Sequence, residues 1–335
     1  MKKLISILLL LTSFAPSFSQ GAQDTTLNNL VLPLGYPTTE PGAIPHFTKS
    51  GKGKNAMILI PGWGFDGSVF DDFVKTNKKA FAMYTITIPG FGNTPCPPLP
   101  KDGTSFGDQS WNKSVLEGIA NLIDAEEIDR PVIVGHFTQG AQLALRLAMD
   151  YPNKVASVII LGAPAKFVAV QDGKVLPYPL KSAIYYADKI SGPKFYKTVT
   201  ESYWDQNNYM RELYSLQGET AERLWKQNAS VPMPIMIRYL LEFHASDITL
   251  EATKIHCPVL VLRPGFRSEW LSDTQNGSFN YIKPQFINSW ELMKEKNPLI
   301  DIQDITDAGV FLWKDQPDET MRRIKKFIDS DKTRN

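Results

Sequence analysis

The chain has 335 residues, enough for one large α/β domain or for two domains of ordinary size. Its composition, with 43% hydrophobic and 21% charged residues, is that of a globular protein that can bury a large core. The 36 basic residues nearly balance the 35 acidic ones, and no long basic block occurs in the sequence, so a nucleic-acid partner is not expected.

The amino-terminal residues 1–19 are predicted to be a signal peptide. Two lysines precede a short apolar run at 4–11, and small residues stand at 17–19, where a signal peptidase requires them. The run is too short to span a bilayer as a permanent helix; a buried amino-terminal helix is the alternative. We expect a mature chain that begins near Gln20, is periplasmic or secreted, and does not span a membrane.

Residues 20–55 are polar and rich in proline and glycine, which predicts an extended lead-in with at most one edge hairpin. From residue 56 onwards, continuous apolar runs alternate with segments whose apolar residues recur every three or four positions. The first pattern is typical of strands buried on both faces and the second of helices. The predicted strands are 56–62, 82–92, 131–135 and 155–164, and the predicted helices are 67–77, 111–128 and 139–152. This alternation predicts a parallel sheet with helices on both faces.

The alternation stops after Pro164. The residues that follow contain no clear buried strand but carry many aromatic residues at helical spacing, which predicts a helical cap. Strands return at 257–265 and 299–309, and a helix at 317–330 closes the chain. The predicted division is a core of residues 56–164 and 251–335, with the cap at 165–250.

Four segments together form a pattern that runs through most of the chain. They are "LIPGWGFDGSVF" (59–70), "ITIPGFGNT" (86–94), "VGHFTQGAQLALRLAMDYP" (134–152) and the region from Cys257 to Glu319. The pattern resembles the α/β-hydrolase fold with a cap domain and covers roughly residues 45–330. The resemblance implies a mostly parallel sheet flanked by helices, with a helical cap inserted after the sixth core strand. The pattern is specific for the fold and not for a substrate.

In that family the catalytic serine stands at a sharp turn between a strand and a helix, in the motif G-x-S-x-G. The corresponding turn here contains no serine. Aligned from the strand, "VGH" places Phe137 at the serine position; aligned from the helix, "TQGAQLALRLA" places Thr138 there. We favour Thr138, which implies one inserted residue at the end of the strand. The alternative is that Thr138 serves only as a helix cap, a role that threonine performs well.

The other members of the family's triad are also altered. A hydroxyl needs a histidine base that a carboxylate orients. Val310 stands where the resemblance places this histidine. The chain has four histidines, and none lies in the last 79 residues: they are His46, His136, His244 and His256. Glu269 and Asp273 are candidates for the acid, although a solvated loop of ion pairs is the simpler interpretation.

His136 adjoins the turn and is expected to be a packed core histidine, whereas His244, near the end of the cap, is placed to face a pocket. Backbone N–H groups of Trp63 and Gln139 are the expected oxyanion-hole donors, since such donors do not depend on the side chain. Phe137, Phe243 and His244 are the expected ligand-binding residues, and together with Trp63 they are expected to line a cleft between cap and core.

Because the chain has no histidine where the family has its catalytic base, we predict that it is a non-catalytic relative of the hydrolases that binds a ligand or a partner. The ligand would be a small apolar or amphipathic molecule in the cleft between cap and core, or a protein partner would bind there. The alternative is an atypical esterase-like hydrolase or lyase that uses Thr138. No nucleotide motif and no histidine–cysteine cluster occurs in the sequence, so no cofactor or metal is expected.

Overall fold

A seven-stranded sheet forms the centre of the computed structural model, which describes residues 36–332 except 102, 172–173, 207–209 and 273–278. The strands in chain order are β1 (Phe47–Ser50), β2 (Asn55–Ile60), β3 (Phe81–Ile86), β4 (Val132–His136), β5 (Ser157–Leu161), β6 (Val170–Gln171), β7 (Lys174–Val175), β8 (Val259–Pro264) and β9 (Ile300–Ile305). β6 and β7 form a separate short hairpin, and the other seven strands form the sheet.

The sheet has the order β1-β3-β2-β4-β5-β8-β9. β1, at one edge, is antiparallel to β3, and all other neighbours are parallel. Parallel strands have helices on both faces, so they are apolar throughout; every residue of β4 and β5 is buried. The predicted mostly parallel sheet of an α/β fold is confirmed.

Helices follow the strands as the apolar spacing predicts. The first three are α1 (Asp71–Asn77), α2 (Ser110–Ala125) and α3 (Gln139–Asp150). α3 ends two residues before Pro152, because proline cannot donate the hydrogen bond that would continue a helix. Residues 47–50, within the predicted lead-in, pair with β3 as an edge strand instead of forming a hairpin of their own.

The cap region between β5 and β8 contains the β6–β7 hairpin and a series of helices. These are α4 (Leu180–Tyr186), α5 (Gly192–Thr198), α6 (Glu201–Gln206), α7 (Arg211–Tyr214), α8 (Gly218–Ala229) and α9 (Met233–His244). Within residues 36–332 five strands precede the cap. The predicted position after the sixth core strand is the one that the family pattern implies. After the cap, the core adds α10 (Glu291–Lys296), α11 (Leu312–Asp315) and α12 (Pro317–Lys332).

Short 3-10 and π segments join these elements. The 3-10 segments are Gly67–Phe70, Phe106–Asp108, Pro152–Lys154, Ile248–Lys254, Ser268–Trp270 and Asn288–Trp290, and the π segments are Ala187–Ser191 and Lys283–Ile287. None of the helices in the part of the chain that the structure describes is both long and apolar enough to cross a membrane. The predicted signal peptide, residues 1–19, lies outside the described residues.

A buried carboxylate on the cap, that of Glu242, bonds to the core. The side chains of Arg238 and Glu242, one turn apart on α9, are 2% and 0% exposed and approach to 2.8 Å. The Glu242 carboxylate also accepts hydrogen bonds from the backbone N–H groups of Trp111 (3.0 Å) and Asn112 (2.9 Å), at the start of α2. The N–H groups in the first turn of a helix have no partner within the helix and favour a negative charge. Glu242 therefore fastens α9 of the cap to α2 of the core.

Candidate functional site

The turn between β4 and α3 has a strained backbone. Thr138 directly precedes α3 and has φ 50° and ψ −102°, and Phe137 before it has φ 28°. A positive φ at a β-branched residue is an outlier, and such a residue costs of order 1–3 kcal/mol. Strain of this kind persists only where the surrounding structure imposes it, and it is concentrated at functional sites.

Two glycines allow the sharp turn. A Cβ atom on Gly140 would lie 2.4 Å from the carbonyl oxygen of Pro61, and one on Gly135 would lie 2.4 Å from the carbonyl oxygen of Gly140. Both distances are shorter than real contacts of a Cβ atom. The first turn of α3 therefore passes so close to the ends of β2 and β4 that only glycine fits at these two positions.

The hydroxyl of Thr138 is buried and has no hydrogen-bond partner among the described residues. Buried polar atoms nearly always have a partner, so each exception requires an explanation. Thr138 also makes no side-chain cap bond to α3, although threonine commonly caps helices. The hydrogen-bonding capacity of this hydroxyl is thus unused within the described part of the chain.

Phe137 is the additional residue of the turn. Its backbone N–H donates to the carbonyl oxygen of Leu161 at 3.2 Å, which extends the β4–β5 pairing by one step. Its own carbonyl oxygen accepts a hydrogen bond from the backbone N–H of Trp63 at 3.3 Å. Its ring is buried and stacks on Phe286, with ring centroids 6.4 Å apart. The Trp63 N–H, expected to be an oxyanion donor, is therefore engaged by Phe137 in this conformation.

The cap fixes the Trp63 loop and the start of α3. The Trp63 indole Nε1 donates to the carbonyl oxygen of Met236 at 2.9 Å, and the Asn228 amide donates to the carbonyl oxygen of Trp63 at 2.9 Å. The Gln139 side-chain amide donates to the carbonyl oxygen of Tyr239 at 2.6 Å. The sequence did not indicate Asn228, Met236 and Tyr239. Nothing in their spacing relates them to Trp63 or to Gln139, each of which lies at least 100 residues from its partner in the cap.

Val310 is fully buried under a segment of the cap. Its N–H donates to the carbonyl oxygen of Leu213 at 2.8 Å, and the next N–H, that of Phe311, donates to the carbonyl oxygen of Tyr214 at 3.0 Å. Close by, the Asp315 carboxylate accepts bonds from cap and core backbone N–H groups, at Leu216 and Gly309. The segment that the resemblance aligns with the family's catalytic histidine is therefore bonded to the cap.

His136 is buried in an aromatic cluster. Its Nε2 lies 3.2 Å from the carbonyl oxygen of Val310 and therefore carries the proton, while its Nδ1 has no partner among the described residues. The nearest rings are those of Phe311 (4.3 Å between centroids) and Trp313 (4.9 Å). Burial lowers the pKa of His136 to about 3. A group of such low basicity is a weak general base at neutral pH.

The other candidates are not brought to the turn. His244 is buried at the end of α9 with its ring 4.1 Å from that of Phe167, and burial lowers its pKa to about 3. Phe243 beside it is 2% exposed. Glu269 is exposed, and its carboxylate accepts a bond from the Ser268 hydroxyl at 3.3 Å. None of these side chains bonds to Thr138. Asp273 lies outside the described residues.

The family assignment rests on a match over most of the chain. A model of the Alpha/beta hydrolase family matches residues 57–323. The chain belongs to this family. The match includes the Trp63 loop, the turn at Thr138, the cap and the Val310 segment, so the resemblance inferred from the four sequence segments is confirmed.

Relatives by sequence cover a smaller part. A pimeloyl-[acyl-carrier protein] methyl ester esterase of Methylococcus capsulatus is 32% identical over 120 residues, which are 36% of this chain and 41% of that protein. The enzyme of the same name from Proteus mirabilis is 23% identical over 119 residues, which are 36% of this chain and 40% of that protein. The chain thus spans less than half the length of these curated relatives.

Solved structures share the fold over nearly the whole chain. MenH from S. aureus superposes with a TM-score of 0.63 at 13% identity, covering 86% of this chain and 98% of that one. A thermophilic esterase from Thermogutta terrifontis gives 0.61 at 16% identity, covering 85% and 93%.

These comparisons correct one prediction from the sequence. The prediction of a non-catalytic binding protein is wrong, because the relatives by sequence are named as esterases, which are catalytic. The prediction relied on the absence of a histidine near the carboxyl terminus and gave too little importance to the strand-to-helix turn at Thr138. The structure retains the strained turn with an unbonded hydroxyl at its tip, which a purely structural turn does not require.

Proposed function

We propose that the chain is an esterase-like hydrolase that acts through Thr138. The observation that carries the proposal is the Thr138 hydroxyl, which lies buried at the tip of a strained strand-to-helix turn and bonds to none of the described residues. A cost of order 1–3 kcal/mol per strained residue favours a functional role over a structural one. The names of the relatives by sequence support hydrolysis of a carboxylic ester, so this is the substrate class that we propose.

Further buried polar atoms have no hydrogen-bond partner among the described residues, and they lie next to Thr138 in the sequence or near the ring of Phe137. They are Gln139 Oε1, His136 Nδ1, the hydroxyl of Tyr214 and, in contact with Tyr214, the indole Nε1 of Trp225. The Tyr214 ring centroid lies 6.1 Å from that of Phe137 and 6.3 Å from that of Trp225. Such atoms can bond to a polar ligand or to water.

In the proposed reaction the Thr138 oxygen attacks the ester carbonyl carbon, and the hydroxyl proton passes to a water molecule. The tetrahedral intermediate collapses, the bond to the alkoxy oxygen breaks, and that oxygen takes a proton from water and leaves as an alcohol. A second water hydrolyses the acyl group from Thr138. Without a histidine base the acceleration comes from binding and oxyanion stabilisation, which reach about 10³–10⁴-fold where the oxyanion donors are free. The Trp63 N–H must first leave the carbonyl oxygen of Phe137 to act as such a donor, so turnover is slow.

The test is the turnover of nitrophenyl butyrate by the wild type, Thr138→Ala and Thr138→Ser. We expect Thr138→Ala to lose activity down to the background rate. Thr138→Ser should turn over faster than the wild type, because it lacks the methyl group that crowds the attack. Thr320→Ala is a matched control. Thr320 is also a buried threonine whose hydroxyl has no partner in the described part of the chain, but it lies on α12. If both alanine variants keep the wild-type rate, Thr138 is not the nucleophile.

We also propose that the protein is exported, on the evidence of the lysines, the apolar run and the small residues in the first 19 positions. Mass spectrometry of the protein isolated from its native cells tests this. We expect the amino terminus at or near Gln20. Recovery of the protein with residues 1–19 intact contradicts the proposal.

A further inference from the structure

One stretch of the cap, residues 174–197, gathers exposed apolar side chains. Val175, Tyr185 and Ile190 are 56%, 57% and 41% exposed, and they are three of the seven large hydrophobic residues with such exposure in the part of the chain that the structure describes. Isolated apolar residues at a surface are normal, but a group of them marks a site of interaction with another molecule.

The same stretch is strongly basic. It holds five lysines and one aspartate, and a second aspartate, Asp172, stands two residues before it, in a chain whose net charge is +1. Four of the lysines are exposed, and none of them forms an ion pair with any described residue: these are Lys174, Lys181, Lys189 and Lys197. Within the part of the chain that the structure describes, no carboxylate neutralises these four lysines by an ion pair.

The one aspartate is directed away from these lysines. Asp188 accepts hydrogen bonds from the backbone N–H of Phe106 at 2.8 Å and from the hydroxyl of Ser105 at 2.6 Å, both in the core. The next acidic residues along the chain, Glu201 and Asp205, lie on α6, which packs against α8. Asp188 therefore does not neutralise these lysines.

The elements that carry these residues are joined. Lys181 and Tyr185 stand four residues apart on α4 and share one side of that helix. The segment after the β6–β7 hairpin packs on the end of α4 through the rings of Tyr178 and Tyr186, with centroids 5.8 Å apart. We call the combined surface the basic cap patch: it comprises Lys174, Val175, Lys181, Tyr185, Lys189 and Ile190.

We propose that the basic cap patch docks on a membrane surface rich in anionic phospholipid. Exposed lysines are attracted to the negative surface potential of such a membrane, and apolar side chains between them enter the boundary between headgroups and acyl chains. Tyrosine suits this boundary, because its ring is apolar and its hydroxyl bonds to water or headgroups. The patch thus combines two contributions to binding at a membrane surface, the burial of apolar area and the attraction to anionic lipid.

The test is co-sedimentation of the full chain with vesicles of phosphatidylglycerol and phosphatidylcholine in equal parts, and with vesicles of phosphatidylcholine alone. We expect binding to the anionic vesicles that weakens as salt is added. Each lysine near the surface contributes about fivefold to the affinity. The double variant Lys181→Glu with Lys189→Glu should therefore bind at least about 25-fold more weakly.

The matched control is Lys325→Glu with Lys326→Glu, which makes the same change of charge at two exposed lysines on α12. A third variant, Tyr185→Ser with Ile190→Ser, removes the apolar part and keeps the charge. All variants retain residues 1–19, so any binding by that segment is common to them. Losses in the two patch variants and not in the control support the proposal. Equal binding by all variants, an equal loss in patch and control, or no preference for anionic vesicles overturns it.

Discussion

Glu242→Gln is the substitution that best tests how the cap is held on the core. The side chain keeps its shape and loses its charge, and the site is 0% exposed. Glu242 Oε1 accepts from Arg238 Nε (3.0 Å), Arg238 Nη2 (2.8 Å) and Trp111 N (3.0 Å), while Oε2 accepts from Asn112 N (2.9 Å). The best orientation of a glutamine keeps its oxygen on the first three donors and directs its NH₂ group at the Asn112 N–H.

One hydrogen bond is then replaced by a contact between two donors, and the buried Arg238 charge loses its counter-ion. Breaking a buried ion pair by removing one partner costs about 3–5 kcal/mol. We expect the free energy of unfolding, measured by urea denaturation with circular dichroism, to fall by this amount. The control is Glu126→Gln, which removes the charge from an exposed pair with Lys49 and should cost less than about 1 kcal/mol. Equal losses in the two variants would refute this account of the cap.

Two further predictions concern the buried histidines and the turn. Because burial lowers the pKa of His136 and His244 to about 3, below the unfolded value of about 6.5, the unfolded state binds protons first as the pH falls. The free energy of unfolding should therefore fall from about pH 6.5 toward pH 3, by up to about 1.4 kcal/mol per pH unit for each histidine. His244→Phe should remove one histidine's share of this slope in urea unfolding at a series of pH values, and an unchanged slope would contradict the assignment. Gly140→Ala should cost about 1–3 kcal/mol in the same assay, since its Cβ would meet the backbone oxygens of Pro61 and Ile60 at 2.4 and 2.5 Å. Gly218→Ala, at a helical position with nothing within 4 Å of the added Cβ, should cost nothing, and equal costs at both sites would show that the close approach is unimportant.

The fold was predictable because its signals are local. The runs that form β4 and β5 are apolar throughout, and the sequence "GHFTQG" places glycines at 135 and 140, where the helix passes closest to the strands. Counting back from the helix also indicated Thr138 as the residue before α3, which is where the structure has it. Each of these inferences needed only neighbours along the chain.

The environment of the turn was not predictable in the same way. The Trp63 N–H bonds to the Phe137 carbonyl oxygen, and the direction of that carbonyl depends on the inserted residue. Asn228 and Met236 hold the Trp63 loop from more than 160 residues away. The absence of a histidine near the carboxyl terminus is visible in the sequence, and it led to the wrong functional prediction. The backbone strain at Thr138, and its hydroxyl that bonds to none of the described residues, appear only in the folded chain.

The central claim is that the Thr138 oxygen carries the acyl group during turnover. Its most direct test is peptide mass spectrometry after brief reaction with a nitrophenyl ester of trimethylacetic acid, whose crowded acyl group is removed slowly. We predict a trimethylacetyl adduct on the peptide that contains Thr138 in the wild type, and none in Thr138→Ala. Turnover without an adduct on Thr138, or an adduct on another residue that persists in Thr138→Ala, would contradict the account.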